Sequence, residues 1–501
     1  MNKQRSLDPS IRDFFGLVYE AILANPFDNK RADVDLKLSG LSPTTSRKKR
    51  LEKAIHEIRK RIEKIEIDGR TDINAFRGEE RRLVKAAYLF DFFYRYRQNF
   101  DQLIGDQIAA GDSNIKVPFA NEAFLFLRKK GFAGESTTRY FALSYQLRRA
   151  FYFMTRRLVG TSPSMKKLRL DLWNNIFTHS IDFYEKFLYN RMEDFSTLIL
   201  GETGTGKGTA AMAIGCSGFI PFLLKKKGFQ ISFTKSFVSI NLSQFPETLI
   251  ESELFGHKKG AFTGAVKDHT GVFGRCSPHG AILLDEIGET SPQLQIKLLE
   301  VLQSRHFSPV GSHVSNRFEG RVVAATNRAI DEIRQQHIFR DDFYYRLTSD
   351  IITVPPLRQR IQENPHELDD LLAYTVKRLM GRSSADLVQT IQTVINKNLG
   401  PDYPWPGNVR ELEQCVRRVI LQKNYQGDIK SLGTNDLKTR LANGIATGKI
   451  DAHNLLAGYC ALLYQRFGTF EDVARRINLD RRTVKKYIGE WEKKNRTAET
   501  T

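Results

Sequence analysis

Two short stretches hold residues whose types and spacing could handle a phosphate. The first is TLILGETGTGKGT, residues 197–209. An apolar run leads into Gly201, Gly204 and Gly206, and a helical pattern follows. Glycines let the backbone fold tightly enough for its N–H groups to face phosphate oxygens. Glu202, Thr203, Thr205 and Thr209 fill out the loop and its exit, and Lys207 is spaced to reach β- and γ-phosphates. The match to GxxxxGK[ST] departs only at its last position, where Gly208 replaces the usual Mg²⁺-binding hydroxyl and Thr209 follows one step later. The second stretch is AILLDEIGE, residues 281–289, an apolar strand ending in two carboxylates. Beside a triphosphate, Asp285 would help hold Mg²⁺ and Glu286 would polarise an attacking water. Alone, the glycine loop could be a plain turn and the acid pair a helix cap. Together, in this order, they imply nucleotide hydrolysis.

These groups need a frame that brings loop and carboxylates to one edge. Residues 158–355 alternate apolar runs with helical patterns, as a parallel α/β sheet would. FSTLILG (195–201), SFVSINL (236–242), GAILLDE (280–286) and GRVVAATN (320–327) read as its strands. Residues 356–425 read as a helical lid, punctuated at its edges by Pro355, Pro356, Pro404 and Pro406. Residues 426–450 read as a linker and 451–501 as a short helical module. Residues 1–157 read as mainly helical. In 46–66, Leu51, Ile55, Ile58, Ile62 and Ile65 form one apolar stripe with charged flanks. Residues 81–104 read as an aromatic-rich helix, better explained as a core face than as a base-stacking surface.

Between the two phosphate motifs lies ESELFGHKKGAFTGAVKDHTGVF, residues 251–273. This segment closely resembles the sigma-54-dependent transcriptional activators of bacteria, a family of AAA+ ATPases. The resemblance continues through GRCSPHGAILLDEIGETSPQLQIKLLEVLQ, PVGSHV, VVAATNR, FRDDFYYRL, VPPLRQR and YPWPGNVRELEQ, and covers roughly residues 158–422. It implies a P-loop α/β domain with a parallel sheet flanked by helices, a helical lid, bound ATP and Mg²⁺, and a hexameric ring. GAFTGA, Gly260 to Ala265, would tip a mobile loop that touches sigma-54. Gly260 and Gly264 supply flexibility, Phe262 an apolar contact and Thr263 a hydroxyl, with Ala261 and Ala265 between and after them. By the same resemblance, Asn241 holds the catalytic Glu286 until nucleotide is sensed. Thr326 and Asn327 stand as the first sensor and Arg410 as the second. Arg340 and Arg346 stand as arginine fingers offered to a neighbouring subunit's ATP, a contribution worth roughly 10³–10⁵ in rate. Relatives usually carry Glu where Gly208 sits, so hydrolysis is expected to survive that departure. Residues 174–196 and 220–236 are longer than the family's usual connections, and FIPFLLKKKGFQISF reads as an added hairpin.

The C-terminal TFEDVARRINLDRRTVKKYIGEW, residues 469–491, reads as a helix-turn-helix. Val473, Ala474 and Ile477 make one apolar face, Asn478 to Asp480 the turn, and Val484, Tyr487 and Ile488 the second face. Arg481, Arg482, Thr483, Lys485 and Lys486 would meet DNA. The segment resembles the Fis-type module that ends many of these activators. The N-terminal 157 residues show no receiver pattern, and are expected to restrain or permit ring assembly.

Bulk composition agrees without deciding. A chain of 501 residues needs more than one core. The net charge of +20 favours a polyanionic partner. Residues 1–157 hold 31 Lys/Arg and 20 Asp/Glu, so +11 of that surplus lies far from the helix-turn-helix. No apolar run approaches the roughly 18 residues of a membrane helix, and MNKQRSLDPSIRDFFG lacks a signal-peptide core, so a cytoplasmic location is expected. Cys216, Cys276, Cys415 and Cys460 have no metal-ligand spacing and read as reduced thiols. Two other functions fit parts of the chain: an AAA+ remodeller of a different nucleic-acid-associated target, and a DNA-binding regulator with a degenerate motor.

Overall fold

The computed structural model describes residues 5–66, 72–427, 437, 441, 444–445, 448 and 450–498. The linker expected over 426–450 lies for the most part outside them. The chain forms two compact units, residues 1–388 with 407–414, and residues 389–406 with 415–501.

Eight helices open the first unit: α1 Pro9–Leu23, α2 Asn29–Ser39, α3 Arg47–Ile65, α4 Gly78–Arg95, α5 Arg97–Ala110, α6 Ala120–Lys129, α7 Glu135–Arg156 and α8 Pro163–Phe177. Their starts follow from caps. Asp8, Asp28, Ser46 and Ser162 each accept a backbone N–H of the following turn, and Pro9 and Pro163 open their helices. The stripe on α3 is partly realised, with Ile58 and Ile62 buried beside Ala54 while Leu51, Ile55 and Ile65 are half-buried. The aromatic segment 81–104 is broken at Tyr96 into α4 and α5. Phe92, Tyr96 and Phe100 are all buried, so its aromatic rings build a core. A single turn, α9 Ile181–Phe183, continues into the π-helical turn Tyr184–Leu188.

A five-stranded sheet follows. Its strands are β1 Thr197–Leu200, β4 Phe237–Asn241, β5 Ala281–Asp285, β8 Arg321–Thr326 and β9 Asp350–Thr353, in the spatial order β4-β5-β8-β1-β9. Every neighbouring pair is parallel. Helices α10 Lys207–Gly215, α11 Glu247–Phe255, α12 Val272–Arg275, α13 Pro292–Ser304, α14 Ile330–Gln335 and α15 Asp341–Leu347 connect and flank the strands. β1 and β8 are buried along their whole length, which explains their continuous apolar runs. Two antiparallel pairs stand apart: β2 Phe222–Leu223 with β3 Gly228–Phe229, and β6 His306–Phe307 with β7 Asn316–Arg317. The first is the hairpin read from FIPFLLKKKGFQISF.

The N-terminal helices and the sheet share one hydrophobic core, which runs from Leu7 through Phe141 and Phe177 to Ile199 and Val323. Buried Arg321 at the start of β8 donates to Asn175 of α8 and to Thr197 of β1, and Asn175 donates in turn to Asp350 of β9. No core boundary therefore falls at residue 157. Helices α16 Leu357–Glu363 and α17 His366–Met380 complete the first unit with residues 407–414. α18 Ala385–Asn398 and α19 Asn408–Gln422 each run from one unit into the other. The second unit holds the helices Ala452–Phe467, Phe470–Ile477 and Arg481–Ala498 around Cys460, Val473, Val484 and Ile488. Among the described residues, no helix is long and apolar enough to cross a membrane.

Candidate functional site: a phosphate loop with a displayed hairpin tip

Parallel pairing brings the carboxyl ends of β1, β5 and β8 to one edge, the side where open α/β sheets hold ligands. Leu200 pairs with Thr326, and Asp285 pairs with Ala325 on one side and Asn241 on the other. Gly201 leaves β1 so close to β9 that a Cβ there would sit 2.9 Å from the Val354 carbonyl. Gly204 has φ +80°, and a Cβ would come within 2.2 Å of the Gly407 carbonyl. Its smallness is required by the approach of the 407–414 segment as well as by the turn. Gly206, at φ +105°, caps α10 without a side chain, leaving first-turn N–H groups free to face an anion.

Lys207 is buried, and its Nζ donates to the Gly201 carbonyl at 2.8 Å and to that of Glu202 at 3.3 Å. Burial pushes its pKa down, Glu286 and Asp285 pull it back up, and Arg410 lowers it further. Lysine, both acids and Arg410 thus share one electrostatic neighbourhood. Thr205 is buried and donates to the Glu202 carbonyl at 2.8 Å. Thr209, half-buried, follows in the first turn. A Cβ at Gly208 would meet nothing within 4 Å, so the position has room for the side chain usual in the resembling family.

Asp285 accepts the Glu286 N–H at 3.1 Å. Glu286 has φ +57°, a strained conformation costing of order 1–3 kcal/mol in a non-glycine residue. Gly288 lets this turn pass close to β8, where a Cβ would meet Thr326 Oγ1 at 2.7 Å. Of the pair expected as the first sensor, Thr326 is fully buried and accepts the Arg328 N–H, while exposed Asn327 points its amide at Thr203 Oγ1, 3.4 Å away. Asn241 accepts from Ser243 N at 3.0 Å and Ser243 Oγ at 2.8 Å, capping its own turn, and Glu286 is not among its hydrogen-bond partners. Among the described residues no group of three His, Cys, Asp or Glu side chains is placed to hold a metal. A cation at Asp285 would need phosphate oxygens to complete its shell, as Mg²⁺ commonly does.

GAFTGA forms a tight, displayed tip. His257 and His269 exchange backbone hydrogen bonds at 3.0 and 2.9 Å, closing the stem. Val310 N donates to Gly256 O, and Lys258 N to Val310 O, so the PVGSHV segment braces that stem. Gly260, at φ +82°, donates to Ala265 O at 2.9 Å, and Gly264 sits at φ +99°. Ala265 is buried, Ala261 half-buried, and Phe262, Thr263 and Gly264 face solvent. Phe262 rests its edge against His257, with ring centroids 4.9 Å apart.

Arg340 precedes α15 and Arg346 lies in its last turn. Arg340 grips Asp342 with two hydrogen bonds of 3.1 and 2.9 Å. Arg346 donates to Leu302 O at 2.8 Å and remains 40% exposed, with Asp194 4.0 Å away. In the second unit, Thr469 caps Phe470–Ile477, Asn478 turns the chain at φ +53°, and Asp480 accepts the Thr483 N–H at 2.9 Å. The Thr483 hydroxyl is bonded to Asp480 Oδ2, and Arg481 pairs with Glu471 at 2.8 Å. Arg482, Lys485 and Lys486 are exposed.

Three residues that the sequence reading passed over belong to the site. Asn408, fully buried at φ +53°, donates to Thr203 O at 3.0 Å and Glu202 Oε2 at 3.2 Å. Its own amide oxygen takes the Leu357 N–H at 2.7 Å. Arg358 holds the Glu202 carboxylate in a fork, which keeps that acid's pKa down. Gly311 at φ +76° lies against the tip, where a Cβ would strike that of Ala261 at 2.7 Å. A signal was present for Asn408, since asparagine tolerates left-handed backbone and GNVREL places it beside Gly407.

The sigma-54 interaction domain family matches residues 178–353. The Nif-specific regulatory protein of Azotobacter vinelandii is 38% identical over 275 residues, covering 54% of this chain and 45% of that protein. The regulatory protein AtoC of Escherichia coli K12 is 34% identical over 255 residues, 50% and 51% of the two chains. The hydrogenase transcriptional regulatory protein HoxA of Bradyrhizobium diazoefficiens is 38% identical over 269 residues, 54% and 50% of the two chains. This chain spans about half the length of these relatives.

Proposed function

Through residues 178–353 this chain belongs to the sigma-54 interaction domain family, and on that premise we propose that it is an ATP-hydrolysing activator of sigma-54 transcription. It binds DNA through its C-terminal helices, assembles as a ring expected to be hexameric, and remodels the polymerase complex to open promoters. The observation that supports this best is one unit carrying both a phosphate loop and a solvent-facing Phe262–Thr263 tip.

In this reading the loop from Gly201 to Thr209 cradles the triphosphate and Lys207 neutralises its β- and γ-oxygens. Mg²⁺, when bound, neutralises charge developing on the phosphates, and Asp285 is the residue to hold it. Glu286 orients the attacking water, with Asn241 restraining it. Thr326, Asn327 and Arg410 report the γ-phosphate to the rest of the unit. Arg340 and Arg346 complete a neighbour's site after leaving Asp342 and Leu302, so hydrolysis depends on assembly. The helices Phe470–Ile477 and Arg481–Ala498 act as a helix-turn-helix, with Arg481, Arg482, Thr483, Lys485 and Lys486 along the DNA. Thr483 reaches a phosphate only by leaving its cap on Asp480.

The test uses three variants of the full chain. Lys207→Ala and Glu286→Gln should retain DNA binding, and hydrolysis should fall by roughly 10²–10³ in the first, the range of a lost electrostatic stabiliser, and by roughly 10²–10⁴ in the second, the range of a lost acid–base group. Thr263→Ala should hydrolyse ATP normally yet fail to open a sigma-54 promoter. Unchanged hydrolysis in the first two refutes the site. Unchanged promoter opening in the third refutes the contact assigned to Thr263. A wild-type protein that hydrolyses ATP yet opens no sigma-54 promoter points to a remodeller of another target, and an inert wild-type ATPase points to a DNA-binding regulator with a degenerate motor.

A further inference from the structure

The N-terminal helices enclose a cavity of about 490 Å³, within the roughly 300–1,000 Å³ typical of small-molecule sites. Leu23 of α1, Leu89 and Phe93 of α4, Leu147 and Phe151 of α7 and Trp173 of α8 supply apolar walls. The phosphate chemistry uses none of them.

The charges around this cavity are unbalanced in a specific way. Each of its three carboxylates already has a cation: Asp35 pairs with Arg31 at 2.8 Å, Asp182 with Lys186 at 2.8 Å and Glu185 with Arg139 at 3.0 Å. Four of its cations have no carboxylate within 4 Å among the described residues. These are Arg47, which donates to Pro26 O, exposed Lys48, Lys85, which lies over the Tyr140 ring, and Arg97. An apolar chamber with surplus positive charge suits a molecule with an apolar body and an anionic head.

One wall is also tied to the phosphate loop. Helix α7 turns Leu143, Leu147 and Phe151 to the cavity. From the same helix, fully buried Arg149 donates to Cys216 O and Gly218 O, both at 2.7 Å, and Gln146 donates to Ser217 O at 2.9 Å. Those carbonyls end α10, the helix that Lys207 begins. Gln146 also donates to the hydroxyl of Tyr184, which lines the cavity. A short hydrogen-bonded path thus joins the cavity wall to the far end of α10, with Gln146 Oε1, Arg149 Nε and Ser217 Oγ buried along it without a partner.

We propose that this cavity binds an organic carboxylate with an apolar body, and that occupancy changes the hydrolysis rate through α7. The second clause rests on the ATPase reading, and the first does not. Titration calorimetry of the full chain with decanoate is expected to show saturable binding at one site per chain. Decanol and decyltrimethylammonium should bind at least tenfold more weakly, since neither satisfies the surplus cations. Lys85→Ala combined with Arg97→Ala should weaken decanoate at least tenfold, and Leu147→Trp should abolish binding by filling the chamber. The charge variant leaves the apolar walls intact, so it carries the test if the tryptophan variant fails to fold. No saturable decanoate binding below 1 mM, or equal affinity in the charge variant, overturns the site. Decanoate should alter the wild-type hydrolysis rate at least twofold and leave that of the charge variant unchanged. Binding without a rate change overturns the coupling alone, and a protein that binds decanoate but never hydrolyses ATP overturns the ATPase reading instead.

Discussion

At the scale of single residues, the candidate phosphate site is built on positions where backbone shape and side-chain chemistry coincide. Asn408 is the clearest. At φ +53° and fully buried, it joins the 407–414 segment to Glu202, to Thr203 and to Leu357 through three hydrogen bonds. Alanine there would leave buried partners unsatisfied and would occupy a left-handed conformation it disfavours. Losses of about 1–3 kcal/mol are typical of such a group, with roughly 1 kcal/mol more from the backbone. Asn408→Ala should therefore lower the stability of the first unit in chemical denaturation by about 2–4 kcal/mol and weaken ATP binding. Asn408→Asp, which keeps left-handed tolerance but turns a buried negative charge on the Glu202 carboxylate and the Thr203 carbonyl, should cost at least as much. An Asn408→Ala protein with wild-type stability and nucleotide affinity would show that the lid segment is held some other way.

Elements decide what the residues can present. The GAFTGA tip projects from a base braced by a stem of paired histidines and the PVGSHV segment, with Gly260 and Gly264 supplying its positive-φ turns. The C-terminal helices illustrate the same point for charge. Arg481 is drawn to Glu471 and the Thr483 hydroxyl to Asp480, whereas Arg482 and Lys485 stand exposed. If those two cations meet phosphates, Arg482→Ala and Lys485→Ala should each reduce the slope of log affinity against log salt by about 1. Fluorescence anisotropy with duplex DNA across a salt series measures that slope. An unaltered slope in both would place the DNA elsewhere on the chain. Arg481→Ala, whose charge is already paired, should change it less.

The whole first unit is held together by aromatic packing that spans the expected domain boundary. Phe222 and Phe229 of the β2–β3 hairpin stack into Phe124, Phe141 and Tyr145 of the N-terminal helices, with centroids 4.4–6.1 Å apart. The backbone is stitched as well, Val117 N donating to Lys227 O at 2.9 Å. Large-to-small changes in such a core cost about 3–5 kcal/mol. Phe229→Ala should thus destabilise the helices and the five-stranded sheet together, in one denaturation transition. Separate transitions, with the sheet unaffected, would show that the two fold independently. Cys216 offers a second probe of the junction. Burial pushes its thiol up to about 12, and alkylation requires the thiolate. At pH 8 iodoacetamide should label Cys216 only as fast as the unit opens, and Phe229→Ala should accelerate labelling. Rapid labelling of the native protein would mean that the junction is loose.

The sequence by itself determined the chemistry and its order. The glycine loop and the Asp285–Glu286 pair were legible because phosphate binding would demand particular residue types at short, local spacing, and GAFTGA was legible through its resemblance to a family motif. The hairpin in FIPFLLKKKGFQISF and the turn at Asn478 to Asp480 were legible for the same local reason. What only the tertiary structure decided was everything made by distant partners. Asn408 meets Thr203 across 205 residues of chain, and Arg149 meets Cys216 across 67. The aromatic segment 81–104 could be read as one helix, but packing against Phe119, Phe126 and Phe141 accompanies its break at Tyr96. Spacing along a chain encodes periodicity and turns. It does not encode which buried face will close on which, and the shared core and the cationic cavity are products of that closure.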